Sequence, residues 1–260
     1  MATIICLHCS GSSGRQWAKL AADIAPGHAV HAPDLIGYGS NEPSGPAGEV
    51  TLDAEAARIE AVMNAIRGPV VLVGHSYGAA VATRIALRRS DRIVGLALFE
   101  PVLFSLILRG DDAAGREILA TGFAIRDEVR AGRVPQAAAR FVDYWSGAGT
   151  WDAMDARRRD AVCLRMWKVA QEFGALFADA LPLAAYARLT MPVLLLEGET
   201  TPAPPRAVTR SLLRVLPDAT HVRVAGAGHM GPITHAEAVN GEILRFVGAL
   251  DGRRRLALAA

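Results

Sequence analysis

Lysine is almost missing from this 260-residue sequence: only Lys19 and Lys168 occur, so nearly all of the 28 basic residues are arginine. The formal net charge is only +2. That excludes the strongly basic surface a nucleic-acid partner needs, and the arginine preference reads as lineage bias rather than as an anion-binding design. Cysteine is scarce too. Cys6, Cys9 and Cys163 do not make a disulfide framework, and Cys6 and Cys9 read as small, reduced, buried residues. No apolar run reaches the length of a membrane span; the best stretch, 70–87, is broken by His75, Ser76 and Arg84. No charged segment precedes a long apolar one at the N-terminus, so no secretory leader is expected and a cytoplasmic protein is the default reading. HExxH, paired CxxC, the Walker loop and the dinucleotide fingerprint are all absent, so neither a metal nor a cofactor is expected.

What is present is an apolar chain, 51% hydrophobic and 21% charged, the balance of a globular protein. Short apolar runs alternate with helical patterns. The runs at 3–7, 28–33, 70–74, 92–99, 192–197 and 221–225 read as strands, and 15–25, 51–66, 77–89, 205–215 and 233–249 read as helices. Thr51 is the expected N-cap of the second helix, and Gly68-Pro69 stop it. The strands lack alternation, which fits a parallel sheet covered on both faces. The fold class is therefore α/β, a doubly wound, mostly parallel sheet of about six strands.

From Pro101 to Thr190 no strand pattern occurs. Three helical stretches fill the interval, and it reads as a helical cap inserted between the fourth and fifth strands. The expected division is a core of 1–100 and 191–260 and a cap of 101–190. The tail DGRRRLALAA (251–260) is expected to fray.

The segment VVLVGHSYGAA (70–80) carries the chemistry. It is strand, then Gly74-x-Ser76-x-Gly78, then an Ala-rich helix. A strand-to-helix turn this tight strains the residue at its tip and needs small neighbours, and it leaves the Ser76 hydroxyl exposed at the carboxyl edge of the sheet. The helix N-terminus adds a field that favours negative charge.

With these residues the chain resembles the α/β-hydrolase superfamily, as a serine-nucleophile, esterase-like member with a helical cap. LHCSGSSGRQW (7–17) is similar to the family's oxyanion loop, DLIGYGSNEP (34–43) to its Asp-x-x-Gly-x-Gly-x-Ser loop, and GAGHM (226–230) to its late Gly-His segment. The resemblance covers nearly the whole chain. It departs in two places: Cys9 stands where Gly is usual, and the hairpin that usually precedes the first strand has no counterpart before Thr3. The second strand is then an edge, where another chain could pair.

The resemblance implies roles. Ser76 is the nucleophile, His229 its base, and the backbone N–H groups of Ser10 and Tyr77 form the oxyanion hole. Serine rather than the Asp of dehalogenases and epoxide hydrolases implies acyl transfer to water. His75 is expected to pack inside the elbow, and His8 to orient the oxyanion loop by hydrogen bonds. His28, His31, His221 and His235 read as surface or strand-end residues.

The acid is the open point. The family usually places it three residues after Gly198, where this chain has Thr201. Glu100 is favoured, because it ends the strand expected beside the nucleophile strand and because a carboxylate at the end of an apolar strand needs a partner. Some branches of the superfamily place the acid there. Glu199 and Glu197 remain alternatives, and Asp34 reads as a turn-forming residue.

The interval 101–190 holds Phe104, Phe123, Phe141, Tyr144, Trp145, Trp151, Met166, Trp167, Phe173 and Phe177. Most should form the cap's own core, with Tyr144, Trp145 and Trp167 expected to face the substrate. The expected reaction is hydrolysis of small to medium apolar carboxylic esters. The same constellation would also serve a lactonase, a thioesterase, a carbon–carbon bond hydrolase, a perhydrolase, or a binding protein with slow turnover.

Overall fold

Both faces of the expected strands must be apolar if helices cover both, and the packing bears this out residue by residue. In the computed structural model, which describes residues 2–41, 50–108 and 112–259, one apolar cluster takes Ile5, Leu7, Val70, Leu72, Leu96, Leu98, Val193 and Leu195. The cluster on the other face takes their neighbours Ile4, Cys6, Val71, Val73, Ala97, Phe99, Leu194 and Leu196. That is the period of two expected of strands buried on both sides. The Glu42-Pro43 end of the DLIGYGSNEP loop, and Asp111 at the expected start of the first cap helix, lie outside the described residues.

The strands are β1 (Thr3–Leu7), β2 (Val30–His31), β3 (Val70–His75), β4 (Ile93–Phe99), β5 (Val193–Gly198) and β6 (Ala219–Val224). They form one parallel sheet of six, in the order β2-β1-β3-β4-β5-β6. β2 is the edge, as expected, but it pairs through only two residues, Val30 and His31. Its shortness follows from its place: it has a single neighbour, and Pro33 follows closely.

Helices α1 (Ala18–Ile24), α2 (Leu52–Asn64) and α3 (Tyr77–Arg88) cross between the first four strands. The Thr51 hydroxyl caps α2 by accepting the Ala54 N–H at 3.1 Å. Between β4 and β5 the chain makes α4 (Ala113–Arg130), α5 (Val134–Ser146), α6 (Thr150–Ala153), α7 (Ala156–Cys163) and α8 (Met166–Ala178), five helices where three were expected. Breaks at 154–155 and 164–165 divide the third expected stretch, 152–181, among α6, α7 and α8. Then come α9 (Ala203–Leu213), α10 (Gly231–Thr234) and α11 (Ala236–Ala259). The last helix runs on to Ala259 where a frayed tail was expected.

α8 carries the lone buried lysine. Lys168 is fully buried and its ammonium donates to Glu55 Oε1 at 2.7 Å, while Glu172 Oε1 lies 3.0 Å away. Burial alone would depress the ammonium, yet Glu172 and Glu55 hold it above its ordinary value. Removing it would strand two carboxylates in the interior. Lys168→Met should cost about 3–5 kcal/mol, measured as the shift of a urea unfolding curve. A loss below about 1 kcal/mol, the level of an exposed pair, would show that the cluster is solvated.

Candidate active site

Strand register decides which side chains meet. Gly74 pairs with Leu98 and His75 with Phe99, and Phe99 pairs with Leu196. Ladder bonds continue one step further, from Ser76 N to Phe99 O at 2.9 Å and from Glu100 N to Leu196 O at 3.0 Å. Ser76, Glu100 and the end of β5 therefore leave the sheet together at its carboxyl edge.

Only two non-glycine residues among those described have positive φ, Ser76 at 56° and Glu100 at 47°. Both side chains belong to this edge, so the strain that a tight turn imposes falls on two neighbouring positions. The elbow tolerates no larger flanks. A Cβ on Gly78 would lie 2.4 Å from the carbonyl oxygens of Leu7 and His8, and one on Gly74 would lie 2.5 Å from Ala79 Cα. Ser76 precedes α3 but makes no side-chain cap bond.

The Ser76 hydroxyl instead donates to His229 Nε2 at 2.9 Å. His229 Nδ1–H donates to Glu100 Oε2 at 2.5 Å, which fixes the imidazole tautomer, since an ionised carboxylate can only accept. Glu100 is fully buried and two further donors satisfy it. Gly198 N–H reaches Oε1 at 2.7 Å and the Thr201 hydroxyl reaches Oε2 at 2.6 Å. Thr201, in the position where the resemblance implies an acid, thus holds a carboxylate on the adjacent strand. Its residue type and place gave no sign of that contact.

The other carboxylates point elsewhere. Glu199 accepts the Gly226 N–H at 2.9 Å on the surface. Glu197 faces Arg223 at 3.5 Å and His221 at 3.8 Å. Asp34 accepts from Ser40 N at 2.9 Å within its own loop and from Gly14 N at 2.7 Å in the loop after β1, so beyond the turn-forming role expected of it, it ties two loops together.

Two more histidines tie the loops together. His8 Nδ1–H donates to the Cys9 carbonyl at 2.8 Å, and its Nε2 accepts from Leu35 N at 3.0 Å. Burial lowers its pKa to about 4, so the ring is neutral at pH 7. His75 Nε2–H donates to the His229 carbonyl at 2.8 Å, and its Nδ1 accepts from Gln16 Nε2 at 3.0 Å. Burial, then the neighbouring His229, push it well below its ordinary value. Gln16 Oε1 in turn accepts Cys9 N–H at 3.2 Å. Gln16 and His75 thereby connect the loop after β1 to the loop that carries His229, a connection that the packing role expected of His75 left out.

The Ser76 hydroxyl faces a cavity of about 180 Å³. Ser10, Val102, Phe104, Trp145, Phe173 and Met230 are on its wall. Tyr77 follows Ser76 in the chain and Ser10 lines the same cavity as Ser76, and neither backbone N–H donates a loop or cap hydrogen bond among the described residues. The Trp145 ring lies over the His229 ring, centroids 4.0 Å apart. Of the three aromatic residues expected to face the substrate, Trp145 is the one on the wall; Tyr144 and Trp167 are not. Helix geometry gives the reason. α5 turns Phe141, Trp145 and Ser146 inward, which sets Tyr144 to the side, where its hydroxyl donates to Glu117 at 2.7 Å. α8 lines the cavity with Val169, Glu172, Phe173 and Leu176, and Trp167 falls about 160° away around that helix. Among the described residues, no group of His, Cys, Asp and Glu is arranged to hold a metal ion, and no helix is long and apolar enough to cross a membrane.

Comparison with known proteins agrees with this fold. Lipase LipV of Mycobacterium tuberculosis is 37% identical over 103 residues, 39% of this chain and 38% of the lipase, so the match spans well under half the length of that relative. The magnesium-chelatase 30 kDa subunit of Rhodobacter capsulatus is 27% identical over 94% of this chain and 86% of that one. Among solved structures, the enol-lactonase of Burkholderia xenovorans LB400 superposes with a TM-score of 0.77 at 21% identity, covering 95% of this chain and 92% of that one. A thermophilic esterase from Thermogutta terrifontis gives 0.71 at 20% identity, covering 96% and 90%. The model of the "Alpha/beta hydrolase family" matches residues 4–242. Six parallel strands in this order, a strained serine at the turn after β3 and a family match along nearly the whole chain lead to one conclusion: the protein belongs to the alpha/beta hydrolase family.

Proposed function

We propose that the protein is a serine-dependent hydrolase of carboxylic esters with small to medium, largely apolar bodies. The observation that carries this reading is the hydrogen-bonded chain from Ser76 through His229 to Glu100, opening on an apolar-walled cavity. Ser76 Oγ attacks the ester carbonyl carbon while His229 Nε2 takes its proton. The oxyanion so formed is stabilised by the N–H groups of Ser10 and Tyr77. His229 then returns the proton to the departing alcohol, leaving an acyl group on Ser76. Water, activated by the same imidazole, attacks that acyl group and frees the acid. Glu100 holds the tautomer and balances the imidazolium. Residues 101–190 act as a cap over a core of 1–100 and 191–260, with Trp145 roofing the imidazole. The kinship of a lipase and an esterase supports the ester reading.

The test is a panel of short p-nitrophenyl esters run beside labelling with a fluorophosphonate, with Ser76→Ala as the control. Turnover and labelling that both vanish in Ser76→Ala are expected. Labelling without turnover would favour a slow binding protein, and neither in the wild type would overturn the reading.

Thr201 is here a positioning residue. Its hydroxyl donates to the same Glu100 oxygen that accepts from His229. Loss of one hydrogen bond to a charged group is worth about 1.5–3 kcal/mol, so Thr201→Val should lower kcat about tenfold or more with KM little changed. Thr201→Ser should restore it. Rates are taken per fluorophosphonate-titrated site, so a purely structural defect leaves kcat unmoved and contradicts the assignment.

A further inference from the structure

One side chain from the interval 101–190 lies against the reacting imidazole, and the hydrolytic steps leave it without a chemical role. The Trp145 ring sits over the His229 ring, with centroids 4.0 Å apart and planes 34° from parallel. The face of the indole, not its edge, therefore meets the imidazole. An aromatic face is the negative side of the ring quadrupole. A cation within about 6 Å of a ring centre is attracted to that face, and Trp attracts it best.

The indole is held in this place. α5 brings it onto the cavity wall one helical turn after Phe141, and it is buried. Phe104 stacks on it, 11° from parallel, with centroids 6.4 Å apart. Tyr144 meets it edge-on at 4.7 Å, and the Tyr144 hydroxyl is itself anchored on Glu117 of α4. Packing against Phe104 and Tyr144 explains why the indole is buried. It does not explain why the ring is laid over His229.

The chemistry supplies a reason. His229 Nε2 accepts from Ser76 at the start and carries a proton once Ser76 attacks. Glu100 answers the new positive charge at the Nδ1 edge of the ring. His75, the other ring close to His229, is further off at 5.2 Å, and burial, then His229, keep it neutral. Cys9 on the cavity wall is a neutral thiol, its pKa pushed up to about 12 by burial. The charged side chains on that wall are Arg165 and Glu172, which is ion-paired with Lys168 at 3.0 Å.

We propose that Trp145 is a positioning residue whose indole face stabilises the imidazolium that His229 becomes as Ser76 is deprotonated. This role rests on the serine-hydrolase reading and extends it, because it gives the roof of the site a part in proton transfer. No bond forms or breaks at the indole. The proton still moves between Ser76 Oγ and His229 Nε2, and the charge it creates is better tolerated. A desolvated cation over an indole face gains enough to change a rate about 10- to 30-fold.

The experiment places mono-, di- and trifluorotryptophan at position 145 alone and adds Trp145→Phe and Trp145→Leu. Fluorine drains the ring face of electron density while hardly changing its shape. Two rates are read in each protein, acylation by a fluorophosphonate and turnover of p-nitrophenyl butyrate. Both should fall stepwise with each added fluorine, to about a tenfold loss in the trifluoro protein, with KM and melting temperature little changed. Trp145→Phe should fall between wild type and Trp145→Leu, and Trp145→Leu should lose about 10- to 30-fold. A merely structural indole would give fluorinated proteins within about twofold of one another, below the weakest cation–π contact. That result overturns the proposal whatever Trp145→Leu does, and it leaves the hydrolase reading intact. A stepwise loss of acylation in a protein that turns over no ester would support the proposal while the ester reading fails. No acylation of wild type would overturn both. The fluorinated rings keep the packing of the indole, so the series decides by itself if Trp145→Leu does not fold.

Discussion

Replacing Glu100 by Gln should lower kcat for ester hydrolysis by about 10⁴-fold, the scale on which a wrong histidine tautomer acts. The environment of Glu100 makes the substitution specific. Gly198 N–H already points at Oε1 at 2.7 Å, so a Gln side chain would keep its carbonyl oxygen there and turn its NH₂ toward Thr201 and His229. Facing a donor, His229 Nδ1 must become an acceptor, and its proton moves to Nε2. That nitrogen then cannot take the proton of Ser76. The fold should survive, because Gln has the same shape and the strained backbone at φ 47° is held by the ladder bond to Leu196. A melting temperature near that of wild type together with the loss of kcat is therefore the expected pair of results. A variant with near wild-type turnover would mean that another carboxylate serves His229.

The larger loss should come from Ser76→Ala, about 10⁶-fold in kcat. The variant keeps whatever the oxyanion donors and the cavity contribute to attack by water, so a small residual rate above background is expected. Because the three side chains act as one unit, the effects should not add: Ser76→Ala/Glu100→Gln should be no slower than Ser76→Ala alone. Additive losses would indicate that Glu100 acts on something other than the Ser76–His229 pair. Turnover per mole of folded protein, measured with one ester for both single variants and the double variant, reads both quantities.

How much of this was legible in the sequence depends on the physics behind each element. The sheet was legible because unbroken apolar strands have one common reading, and the two alternating clusters on its faces follow from it. Ser76 was legible because a tight turn leaves a local mark, the small residues on either side. The proximity of Glu100 to His229 needed a chain of inference through strand adjacency, and the register of β3 against β4 supplies it. Contacts between distant segments left no such mark. Nothing in a Thr, a Gln or a Glu on a helix announces that Thr201 meets Glu100, that Gln16 meets His75, or that Glu172 reaches the cavity. The signal for Glu172 was the lone lysine four residues before it on an apolar helix. The aromatic residues misled for a different reason. Their type marks burial, whereas their facing depends on helix phase, and phase puts Trp145 on the wall and Tyr144 beside it.

The central claim is that Ser76, His229 and Glu100 act as one unit although the usual acid position holds Thr201. Its most direct test is the rate of fluorophosphonate acylation in a matched pair, Glu100→Gln and Glu199→Gln. Glu199 binds the Gly226 N–H on the surface, so its variant should acylate within about twofold of wild type, as surface changes usually do. Glu100→Gln should be slower by orders of magnitude. Slow acylation of Glu199→Gln with near wild-type acylation of Glu100→Gln would contradict the account.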